Sequence, residues 1–204
     1  MKISHNLSRW MFSLLLAVPA MAMAAAVPGE KAPAFSEVDA AGKTHTLDDY
    51  AGKWLVIEWF NKDCPYVKKH YGSGNMQALQ EKYTGEGIQW LTVISSAKGK
   101  QGYLEPAAAL EVAKGHNLNA SAPFLLDTDG DMGRAFGAKT TPHMFIINPE
   151  GKVVYAGAID DNDSANPAVI PKSNNYVAAA LDASMSGEAI QVASSRAYGC
   201  SVKY

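Results

Sequence analysis

The chain has 204 residues, 48% of them hydrophobic, with 18 basic against 20 acidic side chains. That balance leaves no basic footprint for nucleic acid, and two cysteines, Cys64 and Cys200, are too few for the disulfide-dense scaffold of a small secreted domain. Neither a CxxC nor a CxxCH spacing occurs, which removes the usual dithiol redox loop, covalent c-type haem attachment and a zinc ribbon.

Residues 1–26 run from Lys2 and Arg9 through an apolar core, Trp10 to Val18, into small residues ending Ala24, Ala25 and Ala26. This is the pattern of a secretory signal peptide. Its apolar stretch falls short of the roughly 20 residues that a membrane span needs. Cleavage after Ala22, Ala24 or Ala26 satisfies the small-x-small rule, and Ala26 is taken as the end. Loss of Lys2 and Arg9 then takes the net charge from −2 to −4. The expected organisation is a signal peptide over 1–26, one domain over 27–187 and a tail over 188–204 that carries Cys200. The expected product is soluble, without stable membrane insertion, and exported to a bacterial periplasm.

In chain order, Ala34–Asp39 and Thr44–Leu47 read as a hairpin joined by Ala41 and Gly42. Trp54–Phe60 (WLVIEWF) is a nearly continuous apolar run, which suits a strand buried on both faces. Tyr66–Tyr83 is loosely amphipathic, with Gly72 and Gly74 marking a kink or break. Ile88–Ser95 predicts a second buried strand, and Ala97–Gly102 a loop. A helix opens at Pro106 and ends at Gly115. Pro123–Asp127 predicts a third strand and Met132–Phe136 a short helix. His143–Asn148 and Lys152–Gly157, across the turn Pro149–Gly151, predict an antiparallel hairpin. Asn175–Met185 predicts a last helix, stopped by Gly187, before an irregular tail. Strands alternating with helices, then an antiparallel pair, place the chain in the α/β class with a mixed sheet.

Cys64 ends a strand-to-helix turn, with Pro65 where the missing N–H of proline suits the first helical turn. A sulfur facing that helix N-terminus, with Lys68 and Lys69 about one turn along, favours thiolate and a pKa below the usual ~8.5. Asp63 acts in the opposite direction. The alternative is a cysteine that serves as a small buried hydrophobe. Glu58, inside an apolar run, is either a functional carboxyl or one paired with Lys53, Lys62 or another lysine, because an unpaired buried carboxylate is costly.

Other constellations fail on spacing. Asp127–Asp131 (DTDGD) begins like a calcium loop, but its glycine is misplaced and its twelfth position is Ala138. Asp160, Asp161 and Asp163 read as a solvated polar loop. His45, His70, His116 and His143 show no metal-ligand spacing, although His143 beside Pro142 could line an active-site rim. Lys98 and Lys100 lack the phosphate-loop pattern. No metal and no organic cofactor is expected.

Three segments together, WFNKDCPYV, KTTPHMFIINPEGKVVYAGAIDD and the terminal YGCSVKY, resemble the redoxin branch of the thioredoxin superfamily, related to alkyl hydroperoxide reductase and thiol-specific antioxidant proteins. The resemblance covers nearly the whole mature chain. It implies a thioredoxin-like fold, a mixed central sheet flanked by helices, with the first hairpin as an N-terminal extension. It also implies that Pro142 is the cis-proline facing the reactive cysteine, that Thr141 pairs with an extended substrate peptide by strand addition, and that Glu58 relays protons with a pKa raised by desolvation. Two departures qualify it. The position three residues after Cys64, where thioredoxins carry the resolving thiol, is Val67. The peroxidatic pattern PxxxTxxC is replaced at Ile57 and Asn61.

The resulting expectation is an exported thiol-disulfide oxidoreductase with Cys64 as nucleophile, Cys200 as resolving thiol and a thiol or disulfide protein as partner. The alternatives are a slow peroxiredoxin-like peroxidase, in which Cys64 forms a sulfenic acid that condenses with Cys200, and a redox-inert peptide-binding module with a structural disulfide.

Overall fold

The computed structural model describes residues 25–116 and 122–204. The expected signal sequence lies outside the described residues except for Ala25 and Ala26.

The chain opens with the expected hairpin, β1 (Ser36–Val38) and β2 (Thr44–Thr46), paired with Glu37 opposite His45. The remaining elements follow as β3 (Leu55–Trp59), α1 (Pro65–Gly72), α2 (Asn75–Gly85), β4 (Gln89–Val93), α3 (Pro106–Gly115) and β5 (Phe124–Leu125). After these come α4 (Asp131–Phe136), β6 (Thr140–Thr141), β7 (His143–Ile147), β8 (Val153–Gly157), α5 (Tyr176–Met185) and β9 (Cys200–Ser201). The central sheet has the order β5-β4-β3-β7-β8. Strand β3 is parallel to β4 and antiparallel to β7, and β8 closes the edge by the expected hairpin.

Alternation along β3 divides the core. Leu55, Ile57 and Trp59 join Phe35, Phe136 and Phe145 on one face, while Val56 and Phe60 join Val67, Tyr71, Tyr83 and Leu181 on the other. Every residue of β3 is buried, so the run that looked too apolar for a half-exposed strand is covered on both sides. Each large side chain so covered contributes about 1.5–3 kcal/mol.

Two expectations are made definite. Of the kink or break expected at Gly72 and Gly74, the structure shows the break: Gly74 takes a left-handed conformation (φ 77°) between α1 and α2, so the segment forms two helices. The tail is mostly irregular, as expected, but is pinned to the fold at three points. Its Ser194 bridges Ala156 at the edge of β8, β9 pairs with β6, and Lys203 bridges Ser96.

Candidate active site

Asn61 builds the turn that carries Cys64. Its carbonyl accepts the Cys64 N–H at 3.0 Å, and its Oδ1 accepts the Asp63 N–H at 2.9 Å. Its Nδ2 donates to the Gln101 carbonyl at 3.3 Å, tying the turn to the loop after β4. Gly102 (φ 86°) packs so closely here that a Cβ would come within 2.6 Å of Asn61 Nδ2.

Cys64 caps α1, and Pro65 is the first helical residue. Its sulfur is buried and lies 3.0 Å from the Thr141 carbonyl oxygen, to which the thiol form donates. The Thr141–Pro142 peptide is cis. Thr141 stands directly opposite Cys200 in the β6–β9 ladder. The structure therefore gathers Cys64, Thr141, Pro142 and Cys200, which the sequence separates by as many as 136 positions, at one point. Both cysteines are free thiols.

Their environments set them apart. Burial by itself would raise the Cys64 thiol, but a hydrogen bond from Cys200, the N–H of Val67 and further bonds from Thr141 and the Cys200 backbone outweigh it and hold Cys64 below its ordinary value. Cys200 is pushed up to about 11, first by burial and then by its hydrogen bond and charge repulsion with Cys64. Of the two, Cys64 ionises first.

The expected help from Lys69 is absent for a physical reason. Its ammonium group is buried and pairs with Asp160 Oδ2 at 3.1 Å, the Asn162 carbonyl at 2.7 Å and the Tyr198 hydroxyl at 3.1 Å. Asp160 correspondingly leaves the solvated loop in which the sequence placed it. It is buried, and it also accepts a short hydrogen bond from the Tyr198 hydroxyl.

Glu58 is fully buried. Among the described residues no lysine pairs with it. Its carboxyl instead receives Tyr71 Oη at 3.0 Å to both oxygens, Trp90 Nε1 at 3.3 Å and Gln80 Nε2 at 3.4 Å. Desolvation pushes its pKa up to about 8 against these three donors. Among the described residues, the buried Gln80 Oε1 nearby makes no hydrogen bond, and Thr92, in register with Glu58 on the neighbouring strand, presents its hydroxyl to the same cluster. Among the described residues Glu58 makes no hydrogen bond to either sulfur.

His143 packs its ring 4.5 Å from Phe145, and burial pushes its pKa down to about 4. The carboxylates of Glu37, Asp127 and Asp129 approach one another. Asp127 is already used by Ser95, the Met132 N–H and the Gly133 N–H, where it caps α4.

The AhpC/TSA family profile matches residues 28–156, from before β1 to β8. The chain belongs to the AhpC/TSA family. The match ends ahead of α5 and the tail, so Cys200 lies outside it. A curated relative, thiol-disulfide oxidoreductase ResA of Bacillus subtilis (strain 168), is 29% identical over 126 residues, 62% of this chain and 64% of the relative. The chain thus spans just under two thirds of that relative's length. Among solved structures, an uncharacterized conserved protein from Geobacillus kaustophilus superposes with a TM-score of 0.75 at 25% identity, covering 88% of this chain and 93% of that one. A putative thiol:disulfide interchange protein DsbE from Chlorobium tepidum gives a TM-score of 0.51 at 25% identity, covering 63% and 83%. These neighbours bear out the thioredoxin-like fold expected of an AhpC/TSA chain.

Sequence reasoning singled out the thiols, Glu58, Thr141 and Pro142, of which the structure brings Cys64, Thr141, Pro142 and Cys200 together and sets Glu58 apart from both sulfurs. It missed Tyr71, Trp90 and Gln80 around Glu58, and the buried group formed by Lys69, Asp160 and Tyr198. Tyr198, two residues before Cys200 in the quoted YGCSVKY segment, was the available signal; nothing in that segment names its partners on α1 and after β8.

Proposed function

We propose that this AhpC/TSA protein is an exported thiol-disulfide oxidoreductase in which Cys64 attacks and Cys200 resolves. One observation carries the reading: the β6–β9 ladder sets Cys200 opposite Thr141, whose carbonyl oxygen lies 3.0 Å from the Cys64 sulfur, so two free thiols meet at one point, with Cys64 held below its ordinary pKa and Cys200 pushed up to about 11. The Cys64 thiolate attacks one sulfur of a substrate disulfide, forming a mixed disulfide and releasing the other substrate sulfur as thiolate. Cys200, losing its proton, then attacks Cys64 and releases the second substrate thiolate. The substrate gains two electrons and the protein ends with a Cys64–Cys200 disulfide, which a reduced dithiol partner protein returns to two thiols.

Thr141 supplies the backbone edge for a substrate strand, and Pro142 shapes that edge. Glu58 is assigned the proton exchange, because a carboxyl with a pKa near 8 changes protonation around neutral pH. The curated relative's name, thiol-disulfide oxidoreductase, supports the same chemistry.

The peroxidase alternative is weakened by the two departures from the peroxidatic pattern. Ile57 points to the sheet face opposite Cys64, and the Asn61 side chain is committed to Asp63 and Gln101. Neither is available to shape a peroxide pocket. Incubation of full-length Cys200→Ser with a disulfide-containing protein should accumulate a mixed disulfide through Cys64, whereas Cys64→Ser accumulates none. Oxidation of the reduced protein by hydrogen peroxide, followed by tryptophan fluorescence, should be no faster than that of a free thiol. Fast Cys64-dependent oxidation would establish the peroxidase reading in its place.

A further inference from the structure

The tail strand occupies the Thr140–Thr141 edge to which the proposed function assigns the substrate strand. In the β6–β9 ladder Cys200 is opposite Thr141 and Ser201 opposite Thr140, so the tail is an extended peptide whose cysteine faces Cys64 from the edge assigned to substrates. Gly199, just before it, has φ 136°, a conformation that L side chains rarely adopt. A Cβ at Gly199 would overlap the Thr141 carbonyl oxygen and lie 2.8 Å from the Thr141 carbonyl carbon, both backbone atoms that cannot rotate away. On either side the tail is fastened. Tyr198 inserts its hydroxyl among Asp160, Lys69 and His70 with its ring 5.6 Å from Tyr66. Val202 N–H donates to the Lys139 carbonyl at 3.1 Å, and the Lys203 carbonyl accepts from Ala97 N–H at 2.9 Å.

We propose that the Thr140–Thr141 edge selects, as substrate, an extended peptide with glycine immediately before the reacting cysteine, and that the protein's own Tyr-Gly-Cys-Ser tail is the internal copy of that substrate. The inference rests on the reading of Cys64 as nucleophile. A substrate sulfur bonded to Cys64 must occupy the space that Cys200 takes in the ladder, in the same strand direction. Its preceding residue then meets the Thr141 carbonyl as Gly199 does, and any side chain there collides with backbone. Substrate and tail use the edge by turns. The tail leaves to admit the substrate strand, and its return delivers Cys200 to the mixed disulfide, displacing the substrate thiol as chemistry completes.

The test uses full-length Cys200→Ser and two synthetic heptapeptides, Ala-Tyr-Gly-Cys-Ser-Val-Lys and the same peptide with alanine replacing glycine, each activated as the thionitrobenzoate mixed disulfide. A small symmetric disulfide, dithiodipyridine, reports the reactivity of Cys64 itself. Capture of the glycine peptide should be at least ~10-fold faster than that of the alanine peptide, with both made equal when the protein is unfolded in denaturant. In the chain with both cysteines, Gly199→Ala should slow closure of the Cys64–Cys200 disulfide by a similar factor over and above any change in the dithiodipyridine rate of Cys64, measured in the same variant. Equal capture of the two peptides, or capture of neither while dithiodipyridine reacts, overturns the glycine selection and leaves the thiol chemistry standing. Failure of Cys64 to react even with dithiodipyridine overturns the proposed function and this inference together.

Discussion

Replacing Glu58 by glutamine isolates the energetic consequence of placing a carboxyl inside β3. The native carboxyl has its pKa raised from 4.5 to about 8, so between those values the folded state binds more protons than the unfolded state. Stability from this group is fully present below pH 4.5 and is lost as pH rises through 8. At about 1.36 kcal/mol per unit, the loss accumulated between pH 5 and pH 8 is about 3–4 kcal/mol. Glutamine is nearly isosteric and never ionises. Its oxygen can accept from Tyr71 and Trp90, while its amide N–H can donate to Gln80 Oε1 or the Thr92 hydroxyl, the acceptors that a protonated Glu58 would use. His70 and His143, each pushed down to about 4 by burial, pull the other way, losing stability as pH falls below 6.5. The quantity to read is therefore the difference between variant and native chain, in which the histidine contributions cancel. Urea unfolding of reduced protein at pH 5, 6.5 and 8 should show Glu58→Gln gaining on the native chain by about 3–4 kcal/mol across that range. A gain that stays constant with pH would refute the burial argument, because it would mean that the Glu58 pKa is the same folded and unfolded.

The buried ion pair makes a second prediction. Lys69→Met leaves Asp160 without its cation and should cost about 3–5 kcal/mol in the same assay, while Lys68→Met, on the exposed side of α1, should cost under about 0.5 kcal/mol. In acid, His70 and His143 must charge within the core, so the Glu58→Gln chain should lose stability steadily from pH 6.5 towards pH 4, and replacing His143 by glutamine should flatten that decline. The proposed export makes a fourth. Ala26 is buried, its N–H donates to the Phe136 carbonyl at 3.2 Å, and the Ala25 Cβ packs beside Gly137. Cleavage after Ala24, rather than the expected Ala26, keeps these contacts in the mature chain, so if the chain is exported the intact mass should correspond to an Ala25 N-terminus; a Val27 start would show that these contacts are dispensable.

Much of the fold was written in local pattern. The unbroken apolar run of β3 required cover on both faces, proline opened α1 and α3, and alternation with turn residues produced the hairpin of β7 and β8. Cys64 at a strand-to-helix turn was legible for the same reason, since its position follows from neighbours in the chain. The direction after Gly72 was not, because a glycine pair permits a bend without specifying where the next helix docks.

What the sequence by itself determined was the inventory: two thiols without a local partner, one carboxyl in an apolar strand, and a proline at the mouth of β7. Which groups meet was decided by tertiary structure alone. Lys69 looked like a cation for Cys64 because helical spacing fixes the distance along α1, yet packing turns its stem inward to Asp160 and Tyr198. Glu58 had lysines nearby in sequence, but the sheet places Trp90 beside it and the helices bring Tyr71 and Gln80. The tail had too short a periodic signal to predict a strand. It becomes one because its backbone pairs with the Thr140–Thr141 edge, where Gly199, lacking a side chain, packs directly against the Thr141 carbonyl.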